Sequence, residues 1–142
     1  MLLPGFPRPP GIARRLAGMC YEALLVLALL AATLLLPHLL VGAFLHRVAA
    51  PFTLWIQVFA TLLVYFVWFW SAGRRTLAMK TWKIRIVASD GSDLRPAQAL
   101  LRYLLCWPSF LLGGIGILWG FIDRDRQFLH DRLAGTRLIG ER

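Results

Sequence analysis

The segment ARRLAGMCYEALLVLALLAATLLLP, Ala13 to Pro37, opens with two arginines and then runs almost unbroken through apolar residues. A helix needs about 20 such residues to cross roughly 30 Å of hydrocarbon, so Leu16–Leu36 reads as a membrane span. One residue resists that reading. Glu22 lies six positions past Leu16, about 9 Å into the helix at ~1.5 Å per residue. An acidic group at the centre of a span costs about 2.5–3.5 kcal/mol, and less near the end. Such a group persists where it finds a partner, takes a proton or faces a cavity. Arg15, seven residues earlier, shares a helical face with it to within ~20°, yet about 10.5 Å of rise separates the two. Side chains lean toward the helix N-terminus, which sends Arg15 out toward the headgroups. The partner of Glu22 is therefore expected from another element: an arginine of the C-terminal block, a backbone amide near Gly113, or water. Gly18, between Arg15 and Glu22, would let such an element approach closely. The plainer reading is a neutral or paired carboxyl that fixes helix packing.

The composition agrees with a membrane class. Of 142 residues, 58% are hydrophobic and the mean hydropathy is +0.64, yet the net charge is +9. The charge collects between and after the apolar blocks, which is the pattern of a topology signal and of affinity for anionic lipid headgroups. A nucleic-acid-binding chain would present its basic patch on a soluble fold, so that class is set aside. A cleaved leader is also disfavoured, because the first apolar run exceeds the usual 7–15-residue core and contains Glu22. Cys20 and Cys106 both sit in apolar segments without Cys or His neighbours, so neither a disulfide nor a metal site is expected.

A second span is expected over residues 52–72, FTLWIQVFATLLVYFVWFWSA, closed by Trp68, Trp70 and Arg74 as an interfacial belt. The third apolar segment, YLLCWPSFLLGGIGILWGFI (Tyr103–Ile122), is interrupted by Pro108 and by glycines at 113, 114, 116 and 120. It is either a kinked third span or a re-entrant pair of short helices turning at Gly113-Gly114. Basic residues favour re-entry. If the segment turns back, every lysine and arginine except Arg47 shares one face, which the positive-inside rule makes cytoplasmic. The strand pattern favours it too. KTWKIRIV (Lys80–Val87) alternates apolar and polar, and Asp90-Gly91 supplies a turn, so a hairpin is expected over residues 80–95. A lone hairpin is marginal, and the other strand-like stretch in the polar parts is GTRLIG near the C-terminus. Beyond it, Pro96 marks a helix start, and Leu100, Leu101, Leu104 and Leu105 form a stripe opposite Gln98 and Arg102.

The densest polar stretch is IDRDRQFLHDRLAGTRLIG, residues 122–140. Its His130-Asp131 pair has no nucleophile placed beside it, and the chain contains no phosphate loop, zinc motif or dinucleotide fingerprint. No enzyme activity and no cofactor are expected. RRLAGMCYE, GRRTLAMKTWKIRIV and DRDRQFLHDRLAGT together resemble the RDD family of small membrane proteins, over roughly residues 10–139. That family is named for an arginine at the head of its first helix, an aspartate within that helix, and a further aspartate. The resemblance implies that Arg15, Glu22 and Asp131 occupy those positions. Two departures stand out: Glu22 is one methylene longer than the usual aspartate, and Arg75 and Ala78 replace Gln and Gly of the family's GQT-G-K loop. Transport of ions or other ligands is the role suggested for the family.

The resulting expectation is an α-helical membrane protein with two transmembrane helices, a broken or re-entrant third segment and a small β-containing cap. Residues 1–13 form a flexible arm, 16–36 and 52–72 the spans, 80–95 the hairpin, 96–122 the amphipathic and broken segment, and 123–142 the C-terminal motif. The chain is expected in the inner membrane with both termini cytoplasmic. Arg15, Glu22 and Asp131 form the candidate binding cluster, supported by Gly18, Asp123 and His130. The role expected is a component of ion or small-solute transport. Two spans enclose little, so transport would require a homo-oligomer or another membrane protein. The rival reading is an interaction or assembly protein whose polar cluster is structural.

Overall fold

A computed structural model of the chain describes residue 5 and residues 7–141; part of the expected N-terminal arm (1–4 and 6) and Arg142 lie outside the described residues. The first helical run is longer than its apolar core, extending over Ile12–Leu45. It comprises α1 (Ile12–Leu30), one π-helical turn (Ala31–Leu35) and α2 (Leu36–Leu45). Pro37 does not end it, contrary to the expected boundary at 36. Proline cannot bond the carbonyl four residues back, and the wider π turn absorbs that defect. The carbonyl concerned, on Thr33, accepts instead from Gln57 Nε2 at 2.9 Å. In lipid such a substitution matters, because no water stands ready to satisfy the backbone. The helix stops at His46, whose left-handed backbone (φ 51°) lets its N–H close on Gly42.

A short link leads to α3 (Pro51–Trp70), which begins on proline at its first turn. Ser71 ends it, folding its hydroxyl back onto the Val67 carbonyl at 2.7 Å. These two helices are long and apolar enough to cross a membrane, and their most apolar windows bury nothing inside the chain. The arm is not free-standing: Pro10 is buried, and both it and the Arg8 carbonyl lie within 4 Å of where a side chain at Gly140 would begin.

The cap corrects the hairpin. After α4 (Leu77–Thr81), β1 (Ile84–Ala88) turns at Asp90-Gly91, but residues 92–95 run into a helix and form no second strand. The partner is β2 (Thr136–Gly140), antiparallel, with Ile84 opposite Gly140, Ile86 opposite Leu138 and Ala88 opposite Thr136. The turn itself forms as its residues demand: Asp90 Oδ1 accepts from the Ser92 N–H at 2.9 Å, and Gly91 takes φ 88°. Pairing across some fifty residues requires residues 84–88 and 136–140 to share one side of any bilayer.

The third segment splits into α5 (Pro96–Leu111) and α6 (Ile115–Ile122), bent by 95°. Pro108 lies inside α5 without ending it; the break falls at Gly113 and Gly114, both left-handed at φ 75° and 78°. Gly116 makes the return possible, since a Cβ there would come within 2.5 Å of Ser109 Cβ. The stripe on α5 is turned inside out relative to a soluble helix. Leu100, Leu101 and Leu104 are exposed, whereas Ala99, Arg102 and Tyr103 are buried. Trp70, Ile86, Leu94, Ala99 and Tyr103 form the core beneath the sheet, which places Arg102 at its edge. A last short helix, α7 (Leu129–Leu133), carries the chain into β2.

Candidate functional site

Arg15 is drawn into the protein, not out to solvent: it is 2% exposed. Its Nη1 donates to the Arg126 carbonyl, and the guanidinium stands 5.4 Å from the centre of the Phe128 ring. The position follows from the neighbouring glycine. A Cβ on Gly18 would lie 3.4 Å from Ile84 Cδ1, so a bare backbone at that point lets β1 come against α1. Arg14 turns the same way, with Nε donating to the Trp82 carbonyl at 2.6 Å. Neither arginine behaves as a headgroup anchor. The sequence-based direction fails because the Trp82 and Arg126 carbonyls, brought over α1 by the fold, take up the two guanidiniums.

Asp131 is the most buried acid, 1% exposed, and Arg102 at 5% is its partner. Arg102 Nε and Nη2 both converge on Asp131 Oδ1, at 2.8 and 2.6 Å. The Arg102 guanidinium also covers the Trp70 ring at 4.2 Å from its centre. Two arginines from α1 and α5 thus flank one aspartate of α7. In the sequence Arg102 reads as a topology charge on the polar side of an amphipathic segment, not as a member of the site. The signal that could have found it was its place inside an apolar helix, where an arginine needs a counter-ion.

His130 is buried beside Asp131, its Nε2 3.7 Å from Oδ1. Burial pushes the imidazole down to about 4, with Arg102 acting the same way and Asp131 opposing. The ring is neutral near pH 7. Asp123 plays a local part, its Oδ2 accepting the Gln127 N–H at 3.1 Å and its Oδ1 taking Arg132 Nη1. This fixes the turn that carries the Arg126 carbonyl over Arg15.

Glu22 is not in this cluster, and the expected arginine or Gly113 amide is not its partner. Its Oε1 accepts from Tyr65 OH at 2.7 Å and its Oε2 from Thr76 Oγ1 at 2.5 Å. Thr76, fully buried, also caps α4 by accepting the Met79 N–H at 3.2 Å. The carboxyl therefore ties both long helices to the start of the cap. Both donors are uncharged hydroxyls, which is why charge pairing pointed elsewhere.

The Arg15–Asp131 cluster leaves polar capacity unused. Among the described residues, Arg15 Nε and Nη2, Asp131 Oδ2 and His130 Nδ1 are buried without a hydrogen-bond partner. No group of three or more His, Cys, Asp or Glu side chains able to hold a metal ion occurs among those residues. What the cluster offers is a fixed positive site edged by one carboxylate.

A family model described as RDD family matches residues 9–135, most of the chain. No curated protein and no solved structure matches.

Proposed function

The chain belongs to the RDD family, and its apolar helices are those of a membrane protein; from that premise we propose that it is a component of ion or small-solute transport acting as an oligomer. The observation that carries this reading is the buried cluster of Arg15, Arg102, Asp131 and His130, which keeps donors and acceptors without a hydrogen-bond partner among the described residues. Charged groups at membrane depth are costly, and they are kept where an ion or proton must be met. Neither long helix buries its apolar window within the chain, which leaves those faces open to lipid or to further copies.

The proposed topology puts both termini in the cytoplasm, with the α5–α6 pair re-entrant in the inner membrane. Its support is the 95° bend and the pairing of β1 with β2. Anionic headgroups would then meet the basic face. The test is flux into liposomes holding purified protein. Asp131→Asn and Glu22→Gln, each recovered folded and inserted, are expected to lose flux at least tenfold; undiminished flux in both removes the reading. The rival, a non-transporting assembly protein, is favoured by one observation: the cluster joins α1, α5 and α7, elements far apart in sequence. It predicts no flux in the unaltered protein and a co-purifying membrane partner lost when residues 123–137 are changed.

A further inference from the structure

Arg15 holds a charge that its surroundings do not balance. The charged groups bearing on it are Asp131 and Arg102, one of each sign. Asp131 Oδ1 is already held by both Nε and Nη2 of Arg102. With His130 neutral, the buried cluster contains, among the described residues, two guanidiniums and one carboxylate, a surplus of one positive charge. A guanidinium cannot shed its proton to escape this, and a buried charge without a counter-charge is strongly unfavourable. The carbonyl of Arg126 and the Phe128 ring supply dipole and quadrupole, but no charge.

The unpartnered atoms have a direction. Nε and Nη2 form one edge of the guanidinium, with two parallel N–H bonds, and both are buried without a partner among the described residues. The opposite end, Nη1, is pinned by Arg126. That free edge is the one that grips two oxygens of a carboxylate or phosphate at once. Arg102, by contrast, has spent its corresponding edge on Asp131. Arg15 also belongs to the first turn of the long apolar helix, and the ends of a membrane-crossing helix are where the chain meets the phosphates of lipid headgroups.

We infer that Arg15 binds a phosphate group through its Nε–Nη2 edge, beneath the turn formed by Asp123–Phe128. The group is either a phospholipid phosphodiester or a free phosphate. The inference rests on the reading that this cluster meets an ion, and it names that ion's class. Ligand entry requires the turn to lift, because Arg126 and Phe128 cover the guanidinium.

The full chain is purified in a maltoside detergent and stripped of phospholipid. Its melting is followed against sodium phosphate, with sodium chloride at equal ionic strength as reference. A second arm transfers the same preparation into phosphatidylglycerol nanodiscs, with native mass spectrometry of retained lipid. A saturable rise in melting temperature with phosphate supports the free-anion source. Retained phospholipid with stabilisation in nanodiscs alone supports the lipid source. In either case Arg15→Lys, which keeps the charge but loses the paired donors, is expected to weaken binding at least tenfold. Equal affinity in R15K, or no phosphate-dependent shift and no retained lipid in the unaltered protein, overturns the inference. Should R15K not fold, phosphorus NMR of the unaltered protein decides: absence of a bound phosphorus resonance in both arms overturns it. Binding without flux would leave this inference standing and sink the transport reading; flux indifferent to phosphate and lipid would do the reverse.

Discussion

Burial converts single side chains in this protein into fixed commitments. Asp131→Asn leaves Arg102 with no counter-charge, and breaking a buried pair from one side costs about 3–5 kcal/mol. The double variant Arg102→Met, Asp131→Leu is expected to cost much less than the two single changes summed, because it removes both charges together. Melting of the four proteins in detergent checks this; additive losses would show that the pair is not coupled. His130 gives a pH dependence whose sign is set by its lowered value of about 4 against an ordinary 6.5. Between those values the unfolded chain binds the proton and the folded one does not. Stability is therefore fully present above pH 6.5 and falls as pH drops toward 4, by on the order of 2–3 kcal/mol. Replacing His130 with Gln should flatten the stability–pH slope in that window. Of these residues, Asp131 and His130 were legible from the sequence, as was Arg15. Arg102 was not, since the arginine on the polar side of an amphipathic helix reads the same whether it faces a headgroup or a carboxylate.

Single contacts between helices decide the elements. The α5–α6 bend depends on Gly116, where an added methyl would collide with Ser109 Cβ, 2.5 Å away. Gly116→Ala is expected to lower the melting temperature by several degrees, and Ser109→Gly in the same chain to restore most of the loss. If Gly116→Ala melts with the unaltered protein, the two helices are not as closely packed as described. Gln57 supports the first span by bonding the carbonyl that Pro37 abandons. Gln57→Leu should cost about 1–2 kcal/mol, the price of an unmet backbone acceptor. The apolar runs themselves were plain in the sequence. The continuation of the first helix past Pro37 was not, because the group that repairs it belongs to a different helix.

The long-range strand pair constrains the whole molecule. Residues 84–88 and 136–140 are hydrogen-bonded partners, so both must lie on one side of the membrane. Single cysteines at Lys83 and Gly140, introduced with Cys20 and Cys106 replaced by serine, should react with an impermeant thiol reagent from the same side of sealed vesicles. Reaction from opposite sides would dissolve the sheet and, with it, the shared burial of Arg15 and Asp131. Many large apolar side chains of the two long helices are exposed while Arg15, Arg102 and Asp131 are buried, the inverse of a water-solvated fold.

The sequence by itself determined the membrane class, the two long helices, the break at Gly113-Gly114 and three members of the buried cluster, Arg15, His130 and Asp131. Hydrophobic length and backbone chemistry are local properties, and they can be read one residue after another. Only the tertiary structure decided that β1 pairs with the chain's end, that Arg102 serves Asp131, and that Glu22 is held by two hydroxyls. Each of those depends on which distant group comes within about 3 Å, a distance set by packing of elements and not by their order along the chain.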